Sequence, residues 1–370
     1  MNLKVILGTR PEVIKLAPVI REARARGHLV EVLTTGQHGH LVTPLLNFFA
    51  LSADVDLQVM RPDQGLPGLS ARVLERLEER AGPADCVLVQ GDTTSAAMGA
   101  YWAFCRRIPV AHVEAGLRTR DLASPFPEEG NRQLIGRLAS LHFAPTLQSA
   151  TALHEERIDS ARVRTVGNTA IDALLFALER ISTGDVPGDQ RLSPEVERFC
   201  ERAGDELVLV TAHRRESYGE GFAGICEGIR KVVDARRAAH VIYPVHPNPN
   251  VRQVAYPMLG DHPRVLLCEP QPYGAFVALM GRARVLLTDS GGIQEEAPSL
   301  RKPIVVLRKC TERPEGVAAG FAKLVGTDPD LIAREALRAL DDPSVPDAPN
   351  PYGDGRASME IVRALEEHLE

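Results

Sequence analysis

Acids, cations and amides in this sequence fall repeatedly just behind short apolar runs, where the end of a buried strand would present them to a ligand. Thr9-Arg10-Pro11-Glu12 follows NLKVILG, with Lys15 a turn and a half further, and Gly91-Asp92-Thr93 follows ADCVLVQ. Glu114 closes IPVAHVE, and Glu128, Glu129 and Arg132 come soon after in PFPEEGNRQ. His213, Arg214 and Arg215 follow ELVLVTA, and Arg313 stands in LRKCTERPEG. Carboxylates in such places suit proton transfer, and cations suit a phosphate or carboxylate partner. Each group also has a plainer reading. Thr9 and Glu12 have the spacing of a capping box, Asp92 could simply cap a helix, and an isolated histidine is most often structural. Capping does not account for Arg10 or Lys15, and a His-Arg-Arg run behind a buried strand is a candidate anion site.

Residues 285 to 299, VLLTDSGGIQEEAPS, raise a sharper alternative, because Asp-Ser-Gly-Gly also surrounds the nucleophile of trypsin-like proteases. Such an enzyme would be an all-β chain with disulfides. Here Val285, Leu286 and Leu287 read as a buried strand, and Ile293, Ala297 and Leu300 recur at helical spacing. A strand, a tight glycine turn and a helix start direct unpaired N–H groups outward, which favours holding an anion over attacking a carbonyl. Ser290 as a plain N-cap remains open at this point.

The elements that would position these groups alternate throughout. Short apolar runs such as NLKVILG, LVEVLTTG, ADCVLVQG and SLHFAP are separated by amphipathic stretches such as PEVIKLAPVIREARAR. That βαβα pattern implies parallel sheets with helices on both faces. A polar, turn-rich stretch, STGDVPGDQRLSP, reads as a surface connection, and a second βα series follows it. The expected organisation is therefore two Rossmann-like domains with a ligand cleft between them. The first spans 1–168, with a C-terminal helix at 355–370 crossing back to it, and the second spans 169–354.

Length and composition agree with that scale: 370 residues, 44% hydrophobic and 25% charged, are ordinary for two globular α/β domains. A net charge of -6 argues against a general nucleic-acid binder. Six cysteines without a C-x-x-C pair fit a reducing cytoplasm, and no run approaches a signal peptide or a membrane span, so no membrane partner is expected. No G-x-G-x-x-G follows a strand and no Walker motif occurs, so neither a nicotinamide cofactor nor a Walker-type ATPase is indicated; no histidine spacing suggests an essential metal. The residues alone point to a two-domain enzyme or binding protein that takes a phosphorylated ligand and carries several acid/base groups.

GTRPEVIK, GDTTS, HVEAGLRT, PFPEEGNR, HRRES, YPVHPNPNV, TDSGGIQEEAPSL, TERPEG and NPYGDG, in this order and almost end to end, resemble the non-hydrolysing UDP-N-acetylglucosamine 2-epimerases. The resemblance implies the GT-B fold, a UDP-sugar substrate, no cofactor and a homodimer. It implies conversion between UDP-N-acetylglucosamine and UDP-N-acetylmannosamine by elimination and re-addition of UDP through a 2-acetamidoglucal, supplying N-acetylmannosamine units for cell-surface polysaccharide. By similarity Asp92, Glu114 and Glu128 are catalytic carboxylates, supported by Lys15 and Arg132, with His213 at the reacting end. Arg10, His213, Arg214, Gln271, Phe276, Ser290, Gly291, Gly292, Glu296 and Arg313 match the UDP-binding positions, Glu296 at the ribose and the Ser-Gly-Gly run at the diphosphate.

Two stretches depart from the family pattern. TGQHGHLV carries Gly39 and His40 where the family has a cation followed by an acid or amide. Gln37, His38, His40 and His246 match a second, regulatory UDP-N-acetylglucosamine site of bacterial members, and losing one cation there should weaken the coupling. Lys309 and Cys310 replace the usual Asp and Thr before the TERPE motif, with Arg313 retained. The competing readings are a hydrolysing relative that releases N-acetylmannosamine and UDP, a GT-B glycosyltransferase, and a nucleotide-sugar binder without turnover.

Overall fold

The structure, a computed structural model, describes every residue except 37, 38, 62, 63 and 370, and the side chains at 39 and 40. The chain forms two compact units: Met1–Leu175 together with Gly353–Glu370, and Phe176–Tyr352.

The first unit is built on seven strands, β1 (Asn2–Leu7), β2 (Leu29–Thr34), β3 (Val55–Asp56), β4 (Cys86–Gln90), β5 (Val110–Val113), β6 (Leu141–Ala144) and β7 (Val163–Thr165). All pair in parallel in the order β3-β2-β1-β4-β5-β6-β7. Covered on both faces, such strands must be nearly continuous apolar runs, and CVLVQ and VAHV are buried at every position. Helix Thr94–Cys105 lies so close to β1 that a Cβ on Gly99 would meet Ile6 Cδ1 at 2.9 Å, which explains a glycine inside a buried helix. The last helix, Ala357–Leu369, buries Ile361, Val362 and Leu365 and packs on helix Arg10–Ala25. Asp172 accepts from Ser358 N at 2.8 Å and Ser358 Oγ at 2.6 Å, and Glu366 accepts from His28 and Arg26 at 2.7 and 3.0 Å.

The second unit repeats the plan with β8 (Leu207–Thr211), β9 (His240–Pro244), β10 (Val265–Cys268), β11 (Val285–Thr288), β12 (Ile304–Val306) and β13 (Ala322–Leu324), in the order β10-β9-β8-β11-β12-β13. The turn-rich stretch before it is mostly exposed, although its Gln190 is buried and accepts from the Gly274 amide at 3.3 Å. Helical spacing after the DSGG turn yields only a short helix, Gly291–Glu296, which tightens into a 3-10 turn over Ala297–Leu300. Pro298 removes the N–H that would have continued the α-helical ladder.

In each sheet the order in which strands are added reverses at one parallel pair, β1 with β4 and β8 with β11. Parallel sheets open a crevice beyond the carboxyl ends of the strands at such a switch point. Arg10 follows β1, Asp92 follows β4, His213 follows β8 and Ser290 follows β11, so each sheet brings its candidate residues to its own switch point. Among the described residues no helix is long and apolar enough to cross a membrane.

Candidate active site

The site of the first unit begins with the loop after β1. Glu12 is fully buried and its carboxylate accepts from Gly8 N, Thr9 N and Thr9 Oγ1 at 2.9, 2.7 and 2.8 Å. Its other oxygen accepts from Thr93 Oγ1 at 2.6 Å, so the residue that closes the capping box also ties the loop after β1 to the turn after β4. Burial pushes the Glu12 carboxyl above its usual range, while the donors from Thr93, Gly8 and Thr9 pull it back in part.

Thr93, rather than Asp92, caps helix Thr94–Cys105, its hydroxyl accepting from Ala96 N at 3.0 Å. Asp92 is thereby left to Arg132, whose Nη2 and Nε stand 2.7 and 2.8 Å from Asp92 Oδ2. Arg132 comes from helix Glu128–Leu138, and Asn131 of the same helix donates to the Asp92 carbonyl at 2.8 Å. Glu129 is fully buried beneath it and accepts from Thr119 N at 3.0 Å, Gln133 at 3.1 Å, and Arg120 N and Arg132 at 3.3 Å. Burial opposes the ionised form of Glu129, but these donors outweigh it and its pKa is lowered. Glu128, one residue earlier, opens the helix half-buried.

Glu114 stands just past β5 with a left-handed backbone, φ 63°, uncommon for a residue with a side chain. Its two oxygens divide between Lys15 Nζ and Gln90 Nε2. Because β4 and β5 are neighbours in register, Gln90 opposite Val113, Asp92 and Glu114 leave adjacent strand ends. A Cβ on the intervening Gly91 would lie 3.7 Å from Glu114 Oε2. Two carboxylates, each with its own cation, therefore flank one crevice, an arrangement suited to giving and taking protons.

The second unit is organised around Asp289, which is fully buried behind β11. Its Oδ2 accepts the backbone amides of His213 and Arg214 at 2.6 and 2.7 Å, fixing the loop after β8, and His213 Nδ1 lies 3.5 Å from Oδ1. The His213 ring stacks on His246, centroids 5.1 Å apart and planes within 10°. His246 accepts from Asn248 N at 3.2 Å, and burial together with the His213 ring lowers its pKa. Ser290 occupies the N-cap position of helix Gly291–Glu296, but its hydroxyl makes no capping bond. The plain-cap reading thus leaves that side chain unexplained.

Arg313 reaches the same turn. Its Nε donates to the buried Glu295 at 2.7 Å, and a Cβ on Gly291 would sit 3.3 Å from its Cζ, so the glycine lets the guanidinium lie against the backbone. Arg308, buried and unremarked in the sequence, is clasped by Glu312 at 2.7 and 3.0 Å and by Glu216 at 2.6 Å. The Arg308 pair pulls Glu312 down to about 2. The acid of the TERPE stretch is therefore an anchor for its own loop. Glu296 is buried in the short helix, Gln271 donates to the Glu269 carbonyl at 2.6 Å, and Phe276 is half-buried in helix Tyr273–Arg282. Gln37, His38 and the side chain of His40 lie outside the described residues. Among the described residues no cluster of three metal-ligating side chains occurs.

The family model for UDP-N-acetylglucosamine 2-epimerase matches residues 21–366. The chain belongs to this family. It is 44% identical to the UDP-N-acetylglucosamine 2-epimerase of Salmonella typhimurium, over 100% of this chain and 99% of that one. The UDP-GlcNAc 2-epimerase of Neisseria meningitidis, solved bound to UDP-GlcNAc, superposes with a TM-score of 0.86 at 40% identity, covering 99% of this chain and 100% of the other. That of Methanocaldococcus jannaschii, in complex with UDP-GlcNAc and UDP, gives 0.82 at 32% identity, with 99% and 100% covered. The two parallel sheets are those of the GT-B fold of this epimerase family. Within that frame the first unit groups Lys15, Asp92, Glu114 and Arg132, and the second groups His213, His246, Ser290, Gly291 and Arg313.

Sequence reasoning missed the buried partners of these residues: Gln90, Asp289, Glu295 and Arg308, and the reach of Glu12 to Thr93. Gln90 and Asp289 did leave a signal, a polar residue ending or directly following an otherwise apolar strand.

Proposed function

We propose that the protein interconverts UDP-N-acetylglucosamine and UDP-N-acetylmannosamine without net hydrolysis. The observation that carries this reading is the pair Asp92 and Glu114, placed beyond adjacent strand ends and each held by its own cation. A transferase or a pure binder needs no such pair. The hydrogen at C2 of the sugar is not beside a carbonyl, so its removal needs a way to spread the charge, and departure of UDP supplies one. A carboxylate takes the C2 proton, the electrons of that C–H bond form the C1=C2 double bond, and the C1–O pair leaves with UDP. The 2-acetamidoglucal then accepts a proton at C2 on the opposite face as UDP adds back at C1. The sequence is redox-neutral and closes without a cofactor.

In this reading Asp92 and Glu114 handle protons with Glu128, and Lys15 and Arg132 hold them in place. Well-placed acid/base groups contribute about 10²- to 10⁴-fold in rate. Arg10, His213, Arg214, Arg313 and the Ser290-Gly291-Gly292 turn stabilise the diphosphate as its charge develops, Glu296 takes the ribose, and Gln271 and Phe276 face the nucleoside. The ligands seen with the Neisseria and Methanocaldococcus relatives support the substrate class. The protein works as a cytoplasmic homodimer that supplies N-acetylmannosamine units for cell-surface polysaccharide.

The test is incubation with UDP-N-acetylglucosamine in D₂O without added cofactor, followed by NMR. Deuterium at C2 and a stable mixture of the two UDP sugars is the expected result. Free N-acetylmannosamine as the main product would replace this reading by the hydrolysing one, and unchanged sugar without exchange would end both.

A further inference from the structure

Two polar side chains lie buried in the β4–β5 region with no part in the chemistry above. Gln90 is 3% exposed and His112 is 1% exposed. We propose that they form a reciprocal brace between the strands, Gln90 holding Glu114 and His112 holding the Gly91-Asp92 turn, and that this brace sets the spacing of the two carboxylates and the charge state of Glu114. The proposal rests on the epimerase reading for its effect on rate, but its geometry stands independently.

From β4, Gln90 Nε2 donates to Glu114 Oε2 beyond β5. From β5, His112 Nε2 stands 2.8 Å from the Gly91 carbonyl beyond β4. A carbonyl only accepts, so His112 carries its proton on Nε2, while its buried Nδ1 has no hydrogen-bond partner among the described residues. The Gly91 amide donates to Val113 O at 3.0 Å, and Asn131 secures the Asp92 carbonyl from the other side. Glu114 (φ 63°) needs holding because a residue with a side chain is strained in the left-handed region, which Gly91 (φ 68°) adopts freely.

The charged and titratable groups around the brace are Lys15 from helix Arg10–Ala25, Asp92, Arg132 from helix Glu128–Leu138, Arg118, the buried His142 paired with His112 from β6, and His112 itself. Lys15 already neutralises one oxygen of Glu114. An uncharged donor on the other favours the ionised carboxylate without adding a second cation that would make it a weaker base. Burial, with smaller contributions from the nearby arginines, lowers His112 to about 4, so the imidazole remains a neutral donor across the working range.

Gln90→Met removes the donor at nearly constant volume. With ¹³C-labelled glutamate carboxyls, the Glu114 resonance assigned by its loss in Glu114→Gln, the variant is expected to titrate at higher pH than wild type. The pH limb of kcat/KM governed by Glu114 should move the same way. Loss of orientation should lower kcat about 10- to 100-fold, with UDP affinity kept within about twofold as a measure of intact folding. Gln90→Glu should raise the Glu114 titration further by placing a like charge beside it. His112→Leu should lower kcat by about tenfold, and His112→Gln, which keeps a donor towards Gly91, should recover most of it.

A Glu114 resonance that titrates as in wild type in both Gln90 variants would overturn the brace, as would equal impairment by His112→Leu and His112→Gln. Failure of the wild type to exchange C2 would end the epimerase reading instead, and the carboxyl titration would still decide the brace.

Discussion

In the first unit the carboxylates Asp92 and Glu114 stand at the strand ends, held by Arg132, Lys15 and Gln90. In the second unit the order is inverted: Asp289 and Glu295 are the buried partners, and His213 and Arg313 are what they hold. The same doubly wound sheet is thus used with opposite polarity at its switch point. Acids steadied by cations can pass protons, whereas cations and amides steadied by acids can meet a diphosphate without the repulsion of an unbalanced positive cluster. The contrast is clearest in two ion pairs: Asp92 is more exposed than its Arg132, 25% against 15%, and Arg313 is more exposed than its Glu295, 16% against 4%.

The sharpest way to break that comparison is to remove one member from each side. Asp92→Asn keeps the shape and loses the proton acceptor, so kcat should fall about 10²- to 10⁴-fold, with UDP affinity changed little. Arg313→Ala should instead weaken UDP by about 2–5 kcal/mol, because a desolvated charge contact is lost on one side. Calorimetry with UDP and turnover on both variants separates the two. Equal loss of UDP affinity in both would mean that the units do not divide the work.

A smaller effect is expected at Asp289, which holds two backbone amides by one oxygen. Asp289→Asn retains an acceptor but loses the charge, and should cost about 1–3 kcal/mol in urea unfolding. It should also loosen UDP through the His213–Arg214 loop and slow C2 exchange, since that loop is proposed to stabilise the departing diphosphate. A variant with wild-type stability and UDP affinity would show that the loop holds its shape unaided.

The smallest effect concerns Glu312. Its folded pKa is depressed from 4.5 to about 2, chiefly by Arg308, so its contribution is fully present above about pH 4.5 and disappears as pH falls through about 2. Its side chain is 42% exposed, and screening keeps that contribution under ~1 kcal/mol. Glu312→Gln should therefore lower Tm slightly at pH 7, with the gap to wild type closing between pH 4.5 and 2. A gap that is independent of pH would assign the loss to packing instead of charge.

Much of the fold could be read directly because its signals are local. Runs such as CVLVQ and VLLT alternate with amphipathic helices, and the polar residues behind them mark the carboxyl ends of parallel strands. Local signals also misallocate roles. Asp92 and Thr93 are both good caps, and only the position of Arg132, forty residues on, shows why the hydroxyl takes the cap and the carboxylate does not. Glu12 fits a capping box completely, yet its bond to Thr93 spans 81 residues and has no trace in either motif. Arg308 looks like one more surface arginine until Glu216, 92 residues earlier, is brought against it. Partners of this kind are fixed by which strands become neighbours, a property of the whole sheet that no short stretch carries.

The return of Gly353–Glu370 to the first unit has a consequence for how the molecule is made. The second unit is, in chain topology, an insertion between the first unit and its own final helix. On a ribosome the segment up to Leu175 emerges early but lacks the helix that covers Arg10–Ala25 and satisfies Asp172. The inserted unit can finish its own sheet before that helix exists. The half that carries Asp92 and Glu114 is therefore begun before the inserted unit and completed only after it, when helix Ala357–Leu369 has been made.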